Sequence, residues 1–194
     1  LKKLKIDYLY IPTFKDIYKF RPKNKIFLDK SSKELCGKFR KGHFEGVLDV
    51  INRFIEIIEP KYIYLGKKDY QQLYLIGKHI KKRNIKTKII AFKTIREANG
   101  IACSSRNSKL TKNQMKIASN IFSYLSNLKK EIKKNYGLFK IDKIKKDLIN
   151  LGANKIDYLE NYNVKNFKKL KKPNKKFNLF FAYYIKNIRL IDNI

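Results

Sequence analysis

Two short stretches carry side chains whose types and spacing suit phosphate chemistry. The first, "YLGKKDYQQL", sets Gly66, Lys67, Lys68 and Asp69 between an apolar run and an amphipathic one. Glycine lets a ligand approach the backbone, Lys68 offers a cation to phosphate, and Asp69 accepts from a hydroxyl. Gln72 presents a two-way amide one turn on. The second, "IREANGIACSSRN", places Ser104, Ser105 and Arg106 on a polar segment. Two hydroxyls and a guanidinium suit the oxygens of a polyphosphate, where positioning and charge neutralisation do most of the work. Each stretch also has a plainer reading. The first is then a solvated strand-to-helix turn, the second a capped turn with Asn107 left-handed. A third stretch, "CGKFRKGHFEGV", puts His43 near a helix start, where a lone histidine reads as a structural donor rather than a base.

The elements that must position these groups follow from periodicity. "KIDYLYIP", Lys5 to Pro12, alternates as a short strand closed by proline. A loop with a short helix over Phe14 to Tyr18 follows. Phe44, Val47, Leu48, Ile51, Phe54, Ile55 and Ile58 fall at helical spacing ahead of Pro60. Tyr62 to Leu65 reads as a strand broken by Gly66, Tyr70 to about Lys82 as a helix, and Thr87 to Phe92 as a strand. That order predicts an α/β unit with a parallel sheet, whose ligands sit at the carboxyl ends of the strands.

Beyond Asn107 the pattern changes. Thr111 and Gln114 form a capping-box pair, and Ile117, Ile121, Leu125, Leu128 and Ile132 continue an apolar face. A helix over Ile141 to Leu151 stops at Gly152. "KIDYLE", "FNLFFAYYI" and "IRLID" read as three strands of a small α+β unit. Lys165 to Lys176 reads as a lysine-rich surface loop. A boundary near Phe92 to Ile95 gives two domains, 1–93 and 94–194.

Composition narrows the function classes. The 194 residues, 43% of them apolar, can bury a core. No apolar run reaches the ~18 residues a bilayer span needs, and Leu1 to Ile6 has no secretory apolar region. Cys36 and Cys103 lack metal-ligand spacing and read as free buried thiols suited to a reducing cytosol. The net charge of +31, from 47 Lys+Arg against 16 Asp+Glu, raises nucleic acid as a partner. Only seven of those cations are arginine, the preferred residue for base readout, and the lysines spread over the whole chain. They accompany abundant Ile, Asn and Tyr, residues of AT-rich codons. The charge therefore reads as compositional, with no specific nucleic-acid partner and no membrane partner expected.

Taken in order, "LCGKFRKGHFEGV", "GKKDYQQL", "REANGIACSSRN" and the terminal "RLIDN" resemble the pantoate–β-alanine ligase family over essentially the whole chain. That family shows a cysteine, then Arg-Pro-Gly-His-Phe, Gly-Glu-Lys-Asp-(Phe/Tyr)-Gln-Gln and Ser-Ser-Arg-Asn. Lys41 here stands where proline is usual, and Lys67 where glutamate is usual. The resemblance implies an α/β fold: part of a Rossmann-like nucleotidyltransferase domain, followed by a small α+β carboxy-terminal domain. It implies a cytoplasmic homodimer acting on pantoate, β-alanine and ATP with Mg²⁺, through a pantoyl adenylate. Gly66 and Asp69 would hold the ribose, with Lys67 beside them in the ATP site. Lys68 and Arg106 would be the catalytic cations, and Ser104 and Ser105 would join Arg106 on the phosphates. Ile95 and Cys103 would meet adenine through backbone groups, and Gln72 would bind pantoate. The family's amino-terminal HxGH motif has no counterpart from Leu1 onward, and His43 and His79 are not its histidines. The chain is thus expected to be the carboxy-terminal two-thirds of such an enzyme. Two other readings stay open: an inactive fragment keeping part of a nucleotide site, and a basic nucleic-acid-binding module.

If the charge is compositional, duplex DNA should bind without sequence preference, with a Kd of ~10⁻⁴ to 10⁻⁶ M at ~0.15 M salt. Fluorescence anisotropy on two unrelated duplexes measures this, and a nanomolar, sequence-selective site would favour the nucleic-acid module.

Overall fold

The computed structural model describes residues 2–170 and 177–194. The amino-terminal half holds α1 (Phe14–Tyr18), α2 (Cys36–Phe39), α3 (His43–Ile58), β1 (Tyr62–Gly66), α4 (Tyr70–Lys82) and β2 (Lys88–Phe92). The strands pair in parallel, in register from Tyr62 opposite Lys88 to Gly66 opposite Phe92. Helix α3 turns Phe44, Leu48 and Ile55 inward and ends at Glu59, which takes the left-handed conformation just before Pro60. Leu48 and Ile55 pack with Ile76 and Ile80 of α4, and with Ile63, Leu65 and Ile89 of the strands. Both helices therefore cover one face of the parallel pair. The other face is open: Tyr64 is 65% exposed, and its ring lies 5.8 Å from that of Phe92.

The carboxy-terminal half holds α5 (Lys112–Lys134), α6 (Ile141–Asn150), β3 (Lys155–Asn163), β4 (Phe177–Ile185) and β5 (Ile188–Asn193). The capping box at Thr111 and Gln114 forms as expected. The three strands make an antiparallel meander in the order β3-β4-β5. Strand β4 explains its own near-continuous apolar sequence. Leu179, Phe181 and Tyr183 join the core under α5 and α6, while Phe180 and Ala182 join Leu35, Phe44 and Leu75 of the first half. A strand buried on both faces has no polar side to show. A register shift in β3 between Ile156 and Tyr158 sets Asp157 apart from the regular pairing.

The α/β and α+β expectations match these elements, with two differences. Residues 5–12 form no strand. Tyr8 is 92% exposed and Ile11 78% exposed, with no ladder beside them. Alternation supplies a face, but a strand also needs a partner for its backbone groups. Of the expected loop from Lys165 to Lys176, residues 171–176 lie outside the described residues. Phe167 packs with Tyr70, Tyr74 and Tyr162, so the described part of the loop is not wholly on the surface.

His79 is fully buried and holds the first half together. Its Nδ1 accepts from the Phe27 amide at 3.1 Å, and its Nε2 lies 3.1 Å from the Asn52 Oδ1, so the partners assign the proton to Nε2. Asn52 passes the network on to the Asn24 carbonyl at 2.8 Å. Burial lowers the His79 pKa, and Arg83 adds to the effect against Glu56. The neutral ring is the folded form, so this contribution is complete above pH ~6.5 and is lost as pH falls through the depressed folded value. His43, also depressed, acts in the same direction. Denaturant midpoints should therefore drop between pH ~7 and ~5. His79→Gln keeps one acceptor and one donor without titrating, so its midpoint should vary less with pH. An unchanged slope would remove His79 as its source.

Candidate active site

The carboxyl end of β1 runs through Gly66 into a single tight turn, Lys67–Asp69, and then into α4. Gly66 is extended, at φ −80° and ψ 137°, and a Cβ built there meets nothing within 4 Å. No neighbour among the described residues demands glycine at this point. The turn is held from the other half of the molecule. The Asn193 Nδ2 donates to the carbonyls of Lys67 and Lys68, both at 2.8 Å. The Lys68 Nζ sits 3.7 Å from the Asp69 carboxylate.

The Ser-Ser-Arg segment leaves a small hairpin. Arg96 bridges Ala102, and the Cys103 amide donates to the Ile95 carbonyl at 2.9 Å. Gly100 turns the hairpin at φ 88°, against the Phe122 ring, where no Cβ would fit. Buried Asn107 anchors the segment by donating to Glu97 and to the Ala102 carbonyl. It does so in a right-handed turn of 3₁₀ helix, so the plainer reading of a turn with Asn107 left-handed does not describe this segment. The Ser104 Oγ accepts from the Arg106 amide at 3.2 Å, and the Arg106 Nη1 donates to the Arg189 carbonyl at 3.1 Å.

These two segments meet. Lys68, Asp69 and Gln72 share a cleft of about 260 Å³ with Ser104, Ser105 and Arg106. Gly66, Lys67, Ile95 and Cys103 do not line it. Lys67 is exposed, and its carbonyl is the part engaged; Ile95 and Cys103 are exposed at the mouth of the hairpin. The exposed Cys103 corrects the expectation of two buried thiols, which Cys36 alone meets.

The paired glutamines divide the work. Gln71 is buried: its Oε1 accepts from the Cys36 amide at 3.1 Å, and its Nε2 donates to the carbonyls of Ser31 and Glu34 at 2.9 and 2.7 Å. It pins the turn before α2. The Gln72 side chain makes no hydrogen bond to another described residue and lines the cleft.

Sequence reasoning missed several residues here. Arg40 and His43 line the cleft, with the Arg40 Nη1 2.8 Å from the His43 Nε2. Burial and then Arg40, Arg189 and Arg106 lower the His43 pKa, so its neutral Nε2 accepts from Arg40. The histidine expected as a structural donor is an acceptor on the cleft wall. Behind it, the Cys36 Sγ lies 3.0 Å from the Tyr158 hydroxyl and 3.9 Å from the Arg189 Nη1. Burial pushes the Tyr158 phenol well above its usual range, and the thiol beside it adds to this. The Asp157 carboxylate holds the Arg189 Nε at 2.7 Å. Asp192 carries the bidentate Arg96, at 2.6 and 3.2 Å. Burial raises the Asp192 pKa, against the lowering effect of Arg96. The blocks "LCGKFRKGHFEGV" and "RLIDN" contained Cys36, Arg40, His43, Arg189 and Asp192, while Asp157 and Tyr158 fell in "KIDYLE" and Arg96 in "REANGIACSSRN"; neither periodicity nor spacing marked them individually. Among the described residues, no group of three or more His, Cys, Asp or Glu could hold a metal, and no helix is long and apolar enough to cross a membrane.

The cleft brings Arg40, Lys68 and Arg106 into one concavity with Ser104 and Ser105, a set of cations and hydroxyls whose chemistry suits phosphate oxygens. The family model for pantoate-beta-alanine ligase matches residues 1–194. The chain belongs to the pantoate–β-alanine ligase family. Among its relatives, the pantothenate synthetase of Flavobacterium psychrophilum is 36% identical over 193 residues, covering 96% of this chain and 67% of the relative. That of Buchnera aphidicola is 36% identical over 198 residues, covering 100% and 69%. The pantoate–β-alanine ligase of Francisella tularensis, crystallised with β-γ ATP and β-alanine, superposes with a TM-score of 0.77 at 34% identity, covering 100% and 66%. The Thermus thermophilus pantothenate synthetase, at 24% identity, shares the fold with a TM-score of 0.86 over 100% of this chain and 71% of its own. The chain thus spans about two-thirds of the length of these relatives.

Gln71→Ala should destabilise the protein by about 1–3 kcal/mol, because it strands a buried amide and two carbonyls. Gln72→Ala should stay within about 0.5 kcal/mol of the parent. Urea denaturation of both variants checks this, and equal losses would contradict the division of roles.

Proposed function

We propose that this chain carries the ATP-binding and pantoate-binding cleft of an ATP-dependent ligase that joins pantoate to β-alanine. The observation that carries the reading is the convergence of Lys68 and the Ser104–Arg106 segment, 36 positions apart from Lys68 to Ser104, on one cationic cleft. The ATP and β-alanine held by the Francisella relative support it. In the first step a pantoate carboxylate oxygen bonds to the α-phosphorus of ATP, and the bond to the bridging oxygen breaks, releasing pyrophosphate. In the second, the β-alanine amine attacks the pantoyl carbonyl, and AMP leaves with the former carboxylate oxygen.

The residues divide along those steps. Lys68 and Arg106 neutralise phosphate charge as it shifts to the leaving pyrophosphate. Ser104 and Ser105 donate to phosphate oxygens, and Gly66 and Asp69 hold the ribose, with Lys67 at the edge. Ile95 and Cys103 reach adenine from the hairpin mouth through backbone groups. Gln72, unpaired on the cleft wall, is placed to hydrogen-bond pantoate. Magnesium would enter on the ATP phosphates, the mode it takes where a protein supplies few carboxylates. Residues 1–93 and 94–194 act as two domains in this reading, a division supported by their separate sheets. The cytoplasmic homodimer implied by the resemblance belongs to the same proposal.

Separate half-reactions test it. Arg106→Ala should lower the rate of pyrophosphate release by roughly 10²–10³-fold, the scale of one lost preorganised stabiliser. Amide formation from preformed pantoyl adenylate and β-alanine has no pyrophosphate to stabilise and should fall far less. Equal losses in both would make the Ser-Ser-Arg segment a structural hinge. A wild-type chain that performs neither step would overturn the assignment of activity to it.

A further inference from the structure

Asn193 is buried, and its side-chain amide is fully committed. Both Nδ2 donors are used, on the Lys67 and Lys68 carbonyls, and its Oδ1 accepts from the Asn178 Nδ2 at 2.8 Å. Its orientation is therefore fixed, with the donors toward the phosphate turn. The residue before it, Asp192, holds Arg96 at the base of the hairpin that leads to Ser104–Arg106. Arg96 also donates to the Asn193 carbonyl at 3.3 Å. Three positions further back, the Arg189 carbonyl receives Arg106 itself. One strand thus touches both cation-bearing segments, and Asn193 is its contact with the Lys68 side.

We infer that Asn193 is a positioning residue for triphosphate binding, setting Lys68 in register with Arg106 across the cleft. The inference rests on the cleft's being the ATP site. Its backing is stiff: Asn193 pairs with Phe180 and Asp192 with Phe181 on β4, the strand buried on both faces. The turn it holds is exposed at Lys67. Without the amide, water can satisfy the freed carbonyls, so the turn survives but its register with Arg106 does not.

Isothermal titration of Mg-ATP and of adenosine into the purified chain separates positioning from scaffolding. Asn193→Ala and the near-isosteric, uncharged Asn193→Leu, which lacks both donors, should each weaken ATP roughly tenfold while adenosine stays within about twofold. The leucine variant keeps the side-chain volume if the alanine variant fails to fold. Equal weakening of both ligands would mean a scaffold role, and unchanged ATP binding would mean no role; either overturns the inference alone. A wild-type chain that binds adenosine as tightly as ATP would overturn the triphosphate reading of the cleft, and this inference with it.

Discussion

The two segments that carry Lys68 and Arg106 into the cleft are both tied to a single strand, β5. Its Arg189 carbonyl holds Arg106, its Asp192 carboxylate holds Arg96, and its Asn193 amide holds the Lys67–Lys68 turn. The strand can do this because β4 beside it is packed from both sides, between α5 and α6 on one face and the first half of the chain on the other. A buried ion pair such as Arg96–Asp192 is weak evidence for stability, because burial disfavours both charges. Here burial does raise the Asp192 pKa despite its partner. What the pair gives is direction. Arg96 is held by two carboxylate oxygens and lies 4.4 Å over the Phe122 ring of α5, so the hairpin has one way to sit.

The electrostatics of the cleft are local, against a background of uniform positive charge. Most of the cations in this chain are solvated lysines whose fields are screened within about 8–10 Å at ordinary salt. Arg40, Lys68 and Arg106 share one concavity instead, and on its wall burial, with Arg40, Arg189 and Arg106, lowers the His43 pKa. Arg189 stands behind them with its charge balanced by Asp157, of which one oxygen, Oδ1, has no hydrogen bond among the described residues and lies 3.7 Å from the Lys155 Nζ. The positive character of the cleft is therefore a matter of placement more than of net charge.

Much of this was legible in the sequence where the signal is local. Helix α3, α4 and α5, the Thr111 cap and the three carboxy-terminal strands follow from periodicity and capping chemistry. The two phosphate-type motifs were legible from residue type and order. Alternation at residues 5–12 misled because it reports a face and not a neighbour. The glutamine pair shows the limit at single-residue scale: both are plausible ligands as written, and only the direction of α4 buries Gln71 and turns Gln72 to the cleft. Asn107 looked like a turn residue, but Glu97 and the Ala102 carbonyl claim its amide and hold it right-handed. Asn193 was invisible because an asparagine ending a strand is ordinary. Its meaning comes from a turn 125 positions away.

That separation governs when the cleft can exist during folding. The contacts of α3, α4 and the parallel pair close loops of a few tens of residues. The ties from β5 to Lys68, Arg96 and Arg106 span 125, 96 and 83 positions. Contacts between distant positions must overcome their loop-closure entropy before they repay it, so they are the slow ones to form. A chain in which only the short-range contacts have formed would have helices and a parallel pair, with its cations not yet gathered. A ligand of this cleft then binds finished molecules only, and by mass action it draws the population toward the folded state.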